Sequence, residues 1–303
     1  SAHARGMWEW SRSELASGGS GDSPAKLMST KEDGEMLGAT LVGWLGLAVV
    51  LILATEVGYR LHGWALKQRP LAADDEDGDT GSGYVLTAAL GLLGLLIAFV
   101  FGMAAERYED RRQLVLNEAN AISTAALRYE LLPEPHRTAL LRTMSDYVKV
   151  RLEFFDHGED IEQVLAAEAR AEALQAGIWK QVGAAVRTPE GQVLATPLLN
   201  ATNEMFDLAA SRHAALDARV PDRALHVLVL YALVAAAIMG HGLAPGERRH
   251  FVSTSGLFVL VALAISLIID LDSPRIGSVR VPQGPMQHVA AQVQEMARPA
   301  SPS

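Results

Sequence analysis

The sequence predicts an all-α integral membrane protein with four transmembrane helices and a cytoplasmic helical domain. Half of the 303 residues are hydrophobic and a fifth are charged. The hydrophobic and the charged residues are segregated along the chain: the hydrophobic ones form four long runs, and the charged ones lie between these runs,. The segments between the runs have helical rather than strand periodicity. One run also continues, without a glycine or proline break, into a charged helical segment.

That second run, from Tyr84 to Ala105, organises the chain and contains no charged residue. Its length is about what a helix needs to cross the hydrocarbon core of a bilayer. The segment from Glu106 to the stop at Pro133 is too charged for lipid but rich in helix formers,. We therefore expect one helix of roughly 70 Å, in which the second span is continuous with a long cytoplasmic helix.

The other elements follow from the same patterns. Three apolar runs predict the first, third and fourth spans at Leu37–Ala54, Leu225–Gly240 and Phe251–Ile269,. Amphipathic spacing predicts helices at His136–Phe155, Ile161–Val186 and Pro197–Val220,. The expected organisation is transmembrane helices 1 and 2 at 28–105, a helical domain at 106–221, transmembrane helices 3 and 4 at 222–270, and a tail at 271–303.

Residues 1–27 have the composition of an expression tag and linker. Gly18–Gly21 is a linker sequence, and the neighbouring dipeptides are ones that cloning sites encode,. We expect Met28 to be the native start; a disordered natural tail is the alternative, and it changes nothing in the rest of the chain.

The distribution of basic residues predicts which side the helical domain occupies. Four spans place both termini and the domain on one side of the membrane. That side carries Lys31, Arg107, Arg111, Arg112, Arg212, Arg219, Arg223, Arg275 and Arg280 near the membrane, against Arg60, Lys67, Arg69, Arg248 and Arg249 on the other. The positive-inside rule therefore predicts that the helical domain is cytoplasmic.

Composition argues against several classes of function. The formal net charge is −9 and no basic stripe is present, so we expect no nucleic-acid partner,. There is no cysteine, and the nine histidines form no His-x-x-x-His pair, so we expect no metal site,. No phosphate-binding glycine loop or serine elbow occurs. We expect no catalytic residue and no cofactor, and hence no enzyme.

Three motifs resemble a bacterial membrane family of uncharacterised function that is described as bestrophin-like. They are Phe99-x-Phe101-Gly102-Met103-Ala104-Ala105-Glu106-Arg107-Tyr108-x-x-Arg111-Arg112, Leu199-Asn200-x-x-Asn203-Glu204-Met205-x-Asp207-x-x-x-x-Arg212, and Ile269-Asp270-Leu271-Asp272-x-Pro274-Arg275. The resemblance extends from about Met36 to Met286. It implies a likeness to bestrophins, which are homopentameric ion channels with a pore lined by the second span.

The resemblance directs attention to one face of the second span. Ala88, Leu92, Leu96 and Phe99 repeat at three- and four-residue spacing, and rings of such residues could form a constriction that gates by dewetting,. Packing against lipid or other helices is an equally good interpretation. A stripe of small residues on another face predicts a packed helix interface: Gly91, Gly94, Ala98, Gly102 and Ala105,.

Polar residues below the membrane give three further hypotheses. A charged ring at the cytoplasmic mouth would contain Glu106, Arg107, Asp110, Arg111 and Arg112; pairing within the helix is the alternative,. Asp270 and Asp272 form an acidic pair at the end of a span, where they could hold a cation, although pairing with Arg107 or Arg112 is favoured. Four asparagines predict buried hydrogen bonds between helices: Asn117, Asn120, Asn200 and Asn203.

The hypothesis that follows is a bestrophin-like channel for small inorganic ions, embedded in a lipid bilayer and assembled as a homopentamer. Val100-Phe101 and Leu114-Val115 depart from the polar pair and the Trp-Gly of bestrophins, so the sequence leaves anion and cation conduction open. The alternative is a non-conducting scaffold or sensor whose helical domain binds a protein partner. A transporter is less consistent with the chain, which has no internal repeat.

Overall fold

The structure is a computed structural model that describes residues 24–68, 78–156, 161–243, 251–274 and 279–298. These residues form helices and short connections, with no strand among them. The chain divides into two compact units, residues 1–39 and 40–303. The first unit contributes a helical backbone from Pro24 onward, and all the packing described below lies in the second.

The helices, numbered in chain order, are α1 (Pro24–Gln68), α2 (Gly78–Tyr129), α3 (His136–Asp156), α4 (Ile161–Ala185), α5 (Pro189–Val193), α6 (Ala195–Asp217), α7 (Asp222–Gly242), α8 (Phe251–Asp272) and α9 (Gly284–Met296). Four helical segments of the described residues are long and apolar enough to cross a membrane: Val42–Trp64, Gly83–Tyr129, Ala195–Gly242 and Val252–Asp272. The predicted all-α membrane fold with four spans is therefore confirmed.

Helix α2 is continuous from the apolar run into the charged segment, as predicted. Its 52 residues span roughly 78 Å, more than twice the ~30 Å hydrocarbon thickness,. It packs against α7 and α8 at one end and against α3, α6 and α9 at the other. The residues beyond Ala105 therefore extend outside the hydrocarbon layer, and α2 joins the membrane core to the helical domain.

One face of α2 is buried along nearly its whole length. Leu93, Val100 and Ala104 lie in the membrane core, and Val115 and Ile122 lie in the core of the helical domain. These positions are separated by seven, four, eleven and seven residues, so that they lie on one side of the helix,. In the apolar half of α2, the side opposite this face is exposed among the described residues.

Helices α1 and α7 approach so closely that only glycine fits between them. A Cβ on Gly58 would lie 1.9 Å from the carbonyl oxygen of Ala237, and a Cβ on Gly240 would lie 1.9 Å from that of Thr55. The two glycines let the helix backbones touch, as small residues do in membrane helix pairs. Gly63, further along α1, has no atom within 4 Å of such a Cβ.

Three local expectations need correction. The first span, predicted to end at Ala54, extends to Trp64 within α1, which continues to Gln68. Arg60 pairs with Glu56 across one turn of this helix at 2.9 Å. The connection left between the helices predicted at Ile161–Val186 and Pro197–Val220 contains the short helix α5, whose first turn is capped by Thr188. The tail predicted after residue 270 contains α9, which buries Met286, Val289 and Val293 against α2 and α3.

Some predicted features lie outside the described residues. They are most of the tag and linker, at residues 1–23, and four of the basic residues that flank the membrane: Arg69, Arg248, Arg249 and Arg275.

Candidate functional site

The four residues predicted to line a pore do not all have the same environment. Phe99 is 66% exposed and Leu92 is 45% exposed, and Ala88 is also exposed. Leu96 instead packs partly against the membrane core of its own chain. Because successive helical residues are ~100° apart, Leu96 lies at the edge of the exposed face, whereas Leu95, which is 65% exposed, lies within it.

The predicted stripe of small residues makes little contact with this chain. Nothing lies within 4 Å of a Cβ built on Gly91, Gly94 or Gly102. These glycines flank the exposed face of α2, where they would let another helix approach closely.

The five charged residues after Ala105 do not form one surface. Glu106, Asp110 and Arg112 are exposed and Arg107 is half-buried, and Arg112 pairs with Glu109 at 3.0 Å. Arg111 is buried on the opposite side of α2. It cannot share a surface with the other four in this chain, because it follows Ala104 by seven residues and falls on the buried face.

Arg111 instead ties α2 to the ends of α6 and α8. Its guanidinium donates hydrogen bonds to the backbone carbonyls of Ala215, Ala218, Leu271 and Asp272 over 3.1–3.3 Å. Its Nη2 also lies 3.8 Å from Oδ1 of Asp272. A guanidinium has five donors in a planar fork, which lets one side chain bind several carbonyls at once.

The acidic pair at the end of α8 binds backbone amides. Asp272 Oδ1 accepts a hydrogen bond from the amide of Val220 at 2.8 Å, and Asp270 Oδ2 accepts one from the amide of Val279 at 3.1 Å. The arginine that pairs with Asp272 is Arg111, not Arg107 or Arg112. Among the described residues, no three histidine, aspartate or glutamate side chains converge as a metal site would require.

The helical domain contains a buried ionic cluster that sequence reasoning missed: Glu118, Arg151 and Arg212. The Glu118 carboxylate, fully buried on α2, accepts a hydrogen bond from Arg151 of α3 at 2.7 Å and one from Arg212 of α6 at 2.6 Å. The Arg212 guanidinium also stacks 3.6 Å from the centre of the Phe155 ring and donates to Gln283, the N-cap of α9. One carboxylate thus joins three helices and contacts the start of a fourth through Arg212.

Electrostatics favour the ionised form of this cluster. Burial alone would raise the pKa of the Glu118 carboxyl, but Arg151 and Arg212 outweigh it and hold that pKa below its usual range,. Burial raises the pKa of the neighbouring Tyr147 to about 12, so the phenol stays neutral at physiological pH. The cluster holds two positive charges and one negative charge, which makes Glu118 the group on which its neutralisation depends.

The predicted asparagine contacts are wrong. Asn120, Asn200 and Asn203 are exposed, and Asn117 accepts a hydrogen bond from Gln113 of its own helix at 3.0 Å. The buried polar contact between α2 and α6 is made by Tyr129 and Thr202, whose hydroxyls lie 2.8 Å apart.

A sequence signal for the ionic cluster does exist. Ala104, Arg111, Glu118 and Ala125 are spaced seven residues apart and are all buried. Two charged residues in register with an apolar stripe indicate buried, paired charges rather than a solvent-facing ring.

The fold and these contacts define a class: a multi-pass α-helical membrane protein in which one helix passes from the bilayer into a helical domain and anchors both. The chain belongs to the bestrophin-like family, whose Bestrophin-like domain matches residues 54–286. No curated protein matches the sequence.

Solved structures of bacterial bestrophin homologues share the fold. A single-substitution variant of the Klebsiella pneumoniae homologue aligns with a TM-score of 0.63 at 11% identity, covering 84% of this chain and 98% of that one. Another structure of the Klebsiella pneumoniae homologue, solved by Zn-SAD phasing, aligns with a TM-score of 0.61 at 12% identity and the same coverage. A second single-substitution variant of the same homologue aligns with a TM-score of 0.61 at 11% identity, covering 85% of this chain and 96% of that one.

Proposed function

We propose that this protein is an ion channel of the bacterial inner membrane. It assembles as a homopentamer whose axial pore is lined by the exposed face of α2, and its helical domain lies in the cytoplasm. Membership of the bestrophin-like family supports an oligomer that moves small ions rather than an enzyme. The ions and the lipid bilayer are its expected partners.

The observation that carries the proposal is the unpartnered face of α2. Leu92, Leu95 and Phe99 are exposed in the apolar half, and Glu106 and Asp110 continue the same face beyond it. The residues of the apolar half that are buried in the membrane core lie on the opposite side of α2: Leu93, Val100 and Ala104. A face that runs without interruption from apolar rings to charged rings suits an axis along which ions pass.

The neighbouring glycines support close packing between copies. Gly91, Gly94 and Gly102 have open space around them in the single chain. In a ring, each α2 would place this flank against the next α2. The cytoplasmic mouth would carry Glu106, Asp110 and Arg112, with Arg107 at its edge, and Arg111 would stay inside its own subunit.

The first test is the mass of the assembly in lipid nanodiscs, measured by native mass spectrometry. Five copies are expected. A monomer or dimer would contradict an axial pore and would favour the alternative, a scaffold or sensor whose helical domain binds a protein partner.

The second test is ion flux into proteoliposomes. Leu92→Ala and Phe99→Ala should change the flux or its block, because they would widen rings on the axis. Leu260→Ala on α8 is the matched control, since Leu260 is also an exposed leucine of a membrane span. Equal effects of all three variants, or no flux from a pentamer, would contradict the proposed pore.

A further inference from the structure

A pair of histidines joins α1 and α7 at the end of the spans remote from the helical domain. His62 Nδ1 and His241 Nε2 lie 3.4 Å apart, with ring centres 4.6 Å apart and the ring planes at 73°. The residues are 179 positions apart in the sequence. Neither the proposed pore nor the ionic cluster of the helical domain uses them.

The glycine contacts fix this geometry. Gly58 lies one turn before His62, and Gly240 immediately precedes His241; both sit where the two helix backbones touch. The two imidazoles are therefore carried on rigid helices held at a set separation, which is the arrangement that preorganised metal sites require.

The distance between the two nitrogens fits a metal. Zn²⁺ binds imidazole nitrogen at ~2.0–2.1 Å in tetrahedral geometry, so two ligand nitrogens on one ion stand about 3.3–3.4 Å apart. Beside the pair lies a cavity of about 440 Å³, lined by Gly58, Leu61, Val85, Ala237, Ile238, His241 and Gly242. Of the two histidines only His241 lines this cavity, and the other lining residues carry no ligand group, so water would fill the remaining coordination positions of an ion.

We propose that His62 and His241 form a two-histidine binding site for a first-row transition-metal ion such as Zn²⁺. Imidazole suits zinc, copper and nickel but not magnesium or calcium, which take oxygen ligands. Catalytic zinc sites have three protein ligands and one open position, so a site with two protein ligands leaves two positions of a tetrahedral ion to water. Binding links α1 to α7 and stabilises the folded protein by mass action. The proposal does not depend on ion conduction.

The test uses the full-length protein in detergent, with ZnCl₂ as the probe. Isothermal titration should give one Zn²⁺ per subunit, and zinc should raise the thermal unfolding midpoint, whereas MgCl₂ should not. His62→Gln and His241→Gln keep a polar side chain of similar reach. Each should weaken zinc binding at least about tenfold, since even the loss of an outer-shell partner costs that much.

The matched control is His226→Gln, an exposed histidine at the opposite end of α7, which should leave zinc binding unchanged. If His62→Gln and His241→Gln fold and bind zinc as the wild type does, the site is wrong. If zinc neither binds the wild type nor shifts its unfolding midpoint, the pair is only an N–H···N hydrogen bond. A tetrahedral visible absorption band on Co²⁺ substitution that both variants lose would support the assignment independently of stability.

Discussion

Arg111 of α2 reaches the last turn of α8, where its Nη2 lies 3.8 Å from Oδ1 of Asp272. The same guanidinium binds carbonyls at the end of α6 and just beyond it, and the same carboxylate holds the amide of Val220. This contact lies where the chain passes from the helical domain into α7, so it couples the helical domain to the membrane spans. Any movement of the domain relative to the spans must strain or break it.

Replacing Arg111 with lysine should therefore destabilise the protein although the charge is retained. A single ammonium cannot reach carbonyls on two segments, so buried acceptors are left unpaired at about 1–3 kcal/mol. We expect a lower unfolding midpoint in detergent, measured by tryptophan fluorescence. Arg112→Lys is the control, because Arg112 is exposed and its ion pair, among the residues that the structure describes, is with the exposed Glu109. Equal midpoints for the two variants would show that the Arg111 contacts contribute little.

The buried cluster predicts that removing the charge of Glu118 costs much more folding stability than removing that of Glu109, although both residues lie on α2. Glu118→Gln leaves two buried guanidinium groups without a counter-charge and should cost about 3–5 kcal/mol of folding stability. Glu109→Gln breaks a surface pair and should change stability by no more than about 0.5 kcal/mol. Chemical unfolding of the two variants and the wild type measures the difference. A Glu118 variant as stable as the Glu109 variant would contradict the pairing of Glu118 with Arg151 and Arg212.

The lowered pKa of Glu118 gives this stabilisation a pH dependence. Its native pKa lies below the unfolded value of about 4.3, so the ionised carboxylate stabilises the fold fully above that pH,. The contribution is lost as pH falls through the lower native pKa. The stability difference between wild type and Glu118→Gln should thus be constant near neutrality and shrink below about pH 4.3. A difference that stays constant down to pH 3 would rule out a titrating Glu118.

The parts of the fold that the sequence predicts are those carried by local periodicity. The spans, the continuous α2 and the helices at His136–Asp156 and Ile161–Ala185 follow from runs and spacings within a few turns. Helix α9 was missed because it is short and its buried residues, Met286 and Val293 among them, are separated by polar ones. Its stability comes from packing on α2 and α3, which a local pattern does not contain.

Predicting the candidate sites correctly required knowing which face of α2 is buried. The charged residues between Glu106 and Arg112 resemble a ring until Val100 and Ala104 define the buried face, which places Arg111 inside and Arg112 outside. Contacts between distant segments, such as that of His62 with His241, produce no recognisable pattern in the sequence of either segment. Glu118 could have been placed by its register with Arg111, but its two arginine partners could not, because they lie on other helices.

The contact of α1 with α7 predicts that two glycines of one helix differ in their tolerance of alanine. A Cβ on Gly58 meets the backbone of Ala237, so Gly58→Ala should force the helices apart and cost about 1–3 kcal/mol,. Gly63→Ala meets nothing and gains helix propensity, so stability should hold or rise by up to about 1 kcal/mol,. Unfolding midpoints in detergent report both changes. If Gly58→Ala is as well tolerated as Gly63→Ala, the two helices do not touch there.

The proposed orientation can be tested directly because the chain contains no cysteine, so any introduced cysteine is the only one. Tyr84 lies exposed at the start of the second span, and Glu204 lies exposed on α6 in the helical domain. With a membrane-impermeant maleimide applied to spheroplasts, Tyr84→Cys should be labelled at once, and Glu204→Cys only after the membrane is disrupted. The excess of arginine beside the helical domain is the physical reason, since basic flanks are retained on the cytoplasmic side. The reverse labelling would place the helical domain outside the cell and overturn the proposed topology, while leaving the fold and the contact between Arg111 and Asp272 unaffected.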